Sequence, residues 1–119
     1  MASILVVDDD TATRVTVARV IERMGHEVVQ AGDGAAALAI LSECKFDLVV
    51  LDVMMPVLDG PSTLARMREG GDRTPVILLT AESSRALVAG ALKRALVDYI
   101  KKPFGLEELR RKVREAICA

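Results

Sequence analysis

Residues 48–52 read Leu48-Val49-Val50-Leu51-Asp52, an apolar run that ends on a carboxylate. Four successive apolar residues without polar alternation predict a strand covered on both faces. A carboxylate at its end is carried by rigid structure to the edge of a core. An unpaired charge there is costly, so Asp52 needs a partner or a task. Two further runs end in the same manner. Ile4-Leu5-Val6-Val7 stops at Asp8-Asp9, and Val76-Ile77-Leu78-Leu79 stops at Thr80. A fourth candidate, Tyr99-Ile100-Lys101, leads into Lys102-Pro103. Three acids, a hydroxyl and an amine therefore close successive strands.

Amphipathic segments separate these runs. Strands are expected at about residues 4–8, 27–31, 47–52, from Pro75 to Thr80, and at 98–101. Helices are expected at about 11–24, 35–43, from Pro61 to near Gly70, at 84–95 and at 106–117. Asp10 suits the first helix as its N-cap, and Gly25 suits the position after its end. Pro61 suits the first position of the third helix. Strict alternation of strand and helix implies an α/β fold, a five-stranded parallel sheet with helices on both faces. Crossovers should be right-handed. Sites in such sheets form outside the carboxyl ends of the strands. Asp8, Asp9, Asp52, Thr80 and Lys102 all fall there. No linker or repeat interrupts the pattern, so one domain over residues 1–119 is expected.

The bulk numbers narrow the function. Of 119 residues, 51% are hydrophobic and 28% charged, which suits a packed core rather than disorder. The formal net charge of -1 argues against a general nucleic-acid binder. The longest apolar region, Leu48 to Leu58, is broken by Asp52 and Pro56 and is too short to cross a bilayer. The start, Met1-Ala2-Ser3, shows no signal-like segment, so a cytoplasmic location is expected. Cys44 and Cys118 lack Cys-x-x-Cys spacing and read as free thiols. His26, the one histidine, follows Gly25 and reads as a solvated turn residue. Arg110, Arg111, Lys112 and Arg114 read as a solvated helical face, with a docking surface as the second reading. Met54 and Met55 read as packing residues, with recognition as the second reading.

Three carboxylates in one cleft repel each other, and a hard divalent cation relieves that repulsion. Mg²⁺ takes oxygen ligands and is often held by one or two carboxylates together with a phosphate. An opposing lysine and a hydroxyl complete a set suited to phosphoryl transfer onto an aspartate. That reaction needs positioning and charge stabilisation more than covalent help.

Taken together, the residues resemble a known family. Val6-Val7-Asp8-Asp9, the stretch from Leu51-Asp52 through Met54-Met55-Pro56 to Asp59-Gly60, Leu79-Thr80-Ala81, and Tyr99-Ile100-Lys101-Lys102-Pro103-Phe104 are similar to the motifs of response-regulator receiver domains. The resemblance spans essentially the whole chain, in order. It implies the CheY-like, flavodoxin-like (βα)5 fold of two-component signalling. It implies Asp52 as phosphoacceptor, with Mg²⁺ held by Asp8, Asp9, Asp52 and the backbone carbonyl of Met54. It also implies Lys102 as the amine facing the phosphoryl group, Thr80 as the switch hydroxyl and Tyr99 as the aromatic switch. A cis peptide before Pro103 belongs to the same pattern. The implied partners are a sensor histidine kinase or a histidine phosphotransfer protein, and a downstream protein that binds the surface of the fourth helix, fifth strand and fifth helix. The implied assembly is a monomer or a weak phosphorylation-dependent dimer, with no direct contact to nucleic acid or membrane. Catalysis is confined to the domain's own phosphorylation and dephosphorylation.

The chain departs from the family at one turn. The segment before the fifth strand usually carries glycine in this family, and here it reads Arg94-Ala95-Leu96-Val97-Asp98, with Gly90 inside the preceding helix. Two other functional classes fit the residues less well. A phosphorylation-independent module of the same fold would lose part of the acid–lysine set, which is intact here. A phosphatase with an aspartate nucleophile would usually want a second acid two residues later, where Met54 stands. The kinase, the target and the phosphoryl lifetime are not legible in the sequence, nor is whether the domain works alone or within a longer protein.

Overall fold

The computed structural model describes residues 2–81 and 97–118. Strands β1 (Ser3–Val7), β2 (Glu27–Ala31), β3 (Leu48–Asp52), β4 (Val76–Thr80) and β5 (Val97–Lys101) form one parallel sheet in the order β2-β1-β3-β4-β5. Helices α1 (Thr11–Arg23), α2 (Gly34–Glu43), α3 (Gly60–Glu69) and α4 (Leu106–Cys118) are described. The expected helix at 84–95, with Gly90 and most of the turn at 94–98, lies outside the described residues.

Side-chain parity along the strands builds two cores. Ile4, Val6, Leu48, Val50, Ile77, Leu79 and Ile100 pack with Val17, Val20 and Ile21 of α1 and with Leu109 and Val113 of α4. The opposite parity, Leu5, Val7, Val49, Leu51, Val76 and Leu78, packs with Ala37 of α2 and with Leu64 and Met67 of α3. Every residue of β3 and β4 is buried, which is why their sequences show no polar alternation. β2 is an edge strand with only Ala31 buried, which explains its weaker apolar pattern.

Local chemistry sets the ends of the helices. Asp10, Asp33 and Asp59 are N-caps, each accepting a main-chain hydrogen bond from the first turn of α1, α2 and α3. Gly25 follows the C-cap Met24 with φ +98°, a conformation that costs glycine little. Two expectations are corrected. His26 is half-buried and accepts a hydrogen bond from the Ala2 amide at 3.1 Å through Nδ1, so it ties the chain start to the α1–β2 turn. Met54 is not a packing residue, because 60% of its surface is exposed. Met55 does pack, against the α2–α3 core.

Strand order creates the cleft. β1 lies between β2 and β3, so the connections leaving β1 and β3 run to opposite faces of the sheet. The carboxyl ends of β1 and β3 flank this switch point, where open α/β sheets form their sites.

Candidate functional site

Register brings the site residues together. Val7 pairs with Leu51, so Asp8 and Asp52 follow side by side at the ends of β1 and β3. Asp52 pairs with Leu79, and Thr80 is the next residue. Thr80 pairs with Lys101, and Lys102 follows. Four adjacent strands thus deliver two acids, a hydroxyl and an amine to one edge.

Asp8 and Asp52 are both buried. The ammonium of Lys102 donates to Asp52 Oδ1 at 3.0 Å and stands 3.5 Å from Asp8 Oδ2. Asp8 Oδ1 accepts from the Asp10 amide at 2.9 Å. Asp8 Oδ2 is buried without a hydrogen-bond partner among the described residues, so the lysine offers it charge but not a bond. Asp9 is exposed, yet it contributes a carboxylate oxygen to a cluster with Asp8 and Asp52 in which these atoms lie within 4.8 Å of one another. An orphaned buried carboxylate oxygen beside two more carboxylates is a donor set that fits a hard divalent cation.

The electrostatics reflect that crowding. Burial pushes the Asp52 carboxyl from its ordinary 3.8 up to about 6, with the Lys102 hydrogen bond pulling it down and the Asp8 charge pushing it up. Burial alone would lower the Lys102 ammonium, but Asp52 and Asp8 outweigh it and the net shift is upward. The pocket is short of positive charge even with its lysine in place.

Thr80 is buried, and its hydroxyl donates to the Ala81 carbonyl at 2.9 Å rather than toward the acids. Tyr99 is 40% exposed. The Lys102–Pro103 peptide is cis, as expected. The Lys102 amide donates to the Thr80 carbonyl, which continues the β4–β5 ladder up to the site lysine. Lys101 is exposed, in keeping with the alternation that sends its neighbour inward.

The loop from Val53 to Gly60 follows Asp52 directly in the chain. It is closed by the Gly60 amide donating to the Val53 carbonyl at 2.9 Å. A Cβ on Gly60 would lie 2.5 Å from the Asp52 carbonyl oxygen, so only glycine lets the loop return this close. Two contributors were not visible in the sequence. Arg14 donates to the Asp8 carbonyl at 3.0 Å, and Val57 in the loop has φ +71°. The basic stretch of α4 is largely neutralised by its neighbours. Arg110 and Arg111 pair with Glu107 and Glu115, and Lys112 pairs with Asp98 of β5.

Comparison with known proteins agrees with this geometry. Residues 4–114 match the family described as the response regulator receiver domain. The chain belongs to that family. This receiver is 43% identical over 111 residues to the response regulator MprA of Mycobacterium sp. (strain KMS), covering 93% of this chain and 48% of the relative. It is 41% identical to MprA of Mycobacterium leprae (strain TN) over 93% of this chain and 49% of the relative. The receiver therefore spans about half the length of these curated relatives. Among solved structures it is similar to the receiver domain of the Francisella response regulator 1452, with TM-score 0.91, 35% identity and coverage of 99% and 98% of the two chains. It is also similar to the receiver domain of NtrX from Brucella abortus, with TM-score 0.90, 30% identity and 98% coverage of both chains. No helix among the described residues is long and apolar enough to cross a membrane. The chain is thus the receiver of a two-component response regulator, a signalling switch.

Proposed function

We propose that this receiver domain, over residues 1–119, accepts a phosphoryl group from a phosphohistidine onto Asp52. The observation that carries the reading is the Asp52 carboxylate, buried beside Lys102 and within a cluster of three acids. An Asp52 oxygen forms the new P–O bond while the P–N bond of the donor breaks, and its electron pair stays on the imidazole nitrogen. Lys102, already 3.0 Å from Asp52, pairs with a phosphoryl oxygen as charge builds there. Asp8, Asp9, Asp52 and the Met54 carbonyl would hold Mg²⁺. When bound, Mg²⁺ supplies the remaining positive charge that three carboxylates and a phosphoryl group require.

The donor is a sensor histidine kinase or a histidine phosphotransfer protein. Thr80 leaves the Ala81 carbonyl and donates to the phosphoryl group, and Tyr99 turns from the surface into the space it vacates. The surface around β5 and α4 then changes its preference for a downstream protein. This is a population shift, and it requires the phosphoryl contacts to differ between the two states. The domain catalyses its own phosphorylation and hydrolysis only, and works in the cytoplasm as a monomer or weak phosphorylation-dependent dimer.

Acetyl phosphate with MgCl₂ tests the reading directly. The intact mass should rise by one phosphoryl group in the wild type and stay unchanged in Asp52→Ala. Equal phosphate uptake by the variant refutes the assignment.

A further inference from the structure

We infer that Arg14 is a positioning residue for the metal-binding acids, acting through the main chain that joins Asp8 to Asp9. The inference rests on the reading that these acids hold Mg²⁺. Arg14 stands in the first turns of α1, and its half-buried side chain runs back over the end of the sheet. Its Nη1 donates to the Asp8 carbonyl at 3.0 Å, and its Nε donates to Gln30 Oε1 of β2 at 3.1 Å. One rigid guanidinium thus ties the peptide between Asp8 and Asp9 to the edge strand.

That peptide is planar, so fixing its carbonyl also fixes the amide of Asp9 and the two flanking Cα atoms, which narrows the directions open to the Asp9 side chain. The rest of the turn is held separately. The Asp8 amide continues the sheet by donating to the Ala31 carbonyl at 3.2 Å, and Asp10 caps α1 through Thr13. Between these two anchors, the Asp8–Asp9 peptide is held by Arg14. Asp9 is exposed, so packing does not aim its carboxylate, and the backbone must. A divalent cation with strict octahedral demands is sensitive to such aim. Groups that orient metal ligands without touching the metal typically change affinity about 10- to 100-fold when removed.

Calorimetric titration with MgCl₂ tests the inference on the wild type, Arg14→Ala, Arg14→Lys and Gln30→Ala. Arg14→Ala should raise the Mg²⁺ Kd about 10-fold. Arg14→Lys should recover only part of the loss, because an ammonium cannot reach both acceptors in a fixed fork. Gln30→Ala, which leaves the Asp8 contact intact, should raise Kd less and serves if Arg14→Ala does not fold. Phosphorylation of Arg14→Ala by acetyl phosphate should return to the wild-type rate at saturating Mg²⁺, a split that general destabilisation does not produce. A wild-type Kd in both Arg14 variants, or a rate defect that saturating Mg²⁺ leaves in place, overturns the role of Arg14 alone. Absence of Mg²⁺ binding by the wild type overturns the metal reading itself, and the Arg14 inference with it.

Discussion

Lys102 Nζ lies 3.0 Å from Asp52 Oδ1, across fifty residues of sequence and from the next strand but one. The pairing is a product of sheet register. Each strand hands its last residue to a common edge, and β5 overhangs far enough for a lysine to reach back across β4. The contact is also unequal. One ammonium faces two buried carboxylates and donates a hydrogen bond to only one of them.

Replacing Lys102 with alanine removes the cation fixed beside Asp52. Phosphorylation by acetyl phosphate at saturating Mg²⁺ should fall by about 10²-fold, the usual scale for losing one aimed donor at a developing anion. Rates from the gain in mass with time measure this. A variant within twofold of the wild type would show that Lys102 has no part in phosphoryl transfer.

The pH dependence of stability follows chiefly from the burial of Asp52, with the Asp8 charge adding to it. Asp52 has a folded pKa of about 6 against an ordinary 3.8, so the folded state binds the proton more tightly than the unfolded chain. Stability from this group is therefore lost, not gained, as pH rises from about 4 to about 6. The side chain keeps 7% of its surface in contact with solvent, so water screens part of the penalty, and about 1–2 kcal/mol is expected. Metal-free Asp52→Asn should match the wild type below pH 4 and be the more stable protein at pH 7. Urea titrations of both proteins across this range measure the difference. A difference that does not change with pH refutes the assignment to Asp52.

How much of the fold and site is legible in the sequence depends on the kind of interaction. β1, β3 and β4 are plain because strands buried on both faces leave uninterrupted apolar runs. The acids and Lys102 are plain because a charge at the end of a buried run is too costly to be incidental. Arg14 is hidden because its acceptors are a main-chain carbonyl and a side chain on the edge strand. Within an amphipathic helix it looks like any solvated arginine. In the sequence Gly60 is only the end of the motif that begins at Leu51-Asp52, and nothing in its neighbours announces a 2.5 Å approach to the Asp52 carbonyl.

That approach makes Gly60→Ala a test of how tightly the loop is fitted. The added Cβ would also lie 2.9 Å from Val53 Cα, so main chain, not a flexible side chain, must give way. A destabilisation of about 1–3 kcal/mol is expected from overpacking of this kind. Because the shifted atoms belong to Asp52 and Val53, the Mg²⁺ Kd should rise as well. Denaturant midpoints and calorimetry check the two effects, and unchanged stability would mean that the loop yields freely.

Val57 runs the opposite way. It has φ +71°, and the Leu58 amide donates to the Pro56 carbonyl at 2.7 Å across it, closing a three-residue turn. Positive φ in a β-branched residue is strained, and γ-turns of this hand are rare. The side chain is 83% exposed, so its removal gives up little burial. Val57→Gly relieves strain of about 1–3 kcal/mol. The added freedom of glycine in the unfolded chain offsets about 0.5–1 kcal/mol of that gain. A net stabilisation of about 1 kcal/mol is expected, while Val57→Ala, which keeps a Cβ but loses the branch, should fall between the two. Denaturant unfolding at pH 7 with and without MgCl₂ measures it. If glycine lowers the midpoint, the turn is not strained in solution and the loop is held by contacts of the Val57 side chain.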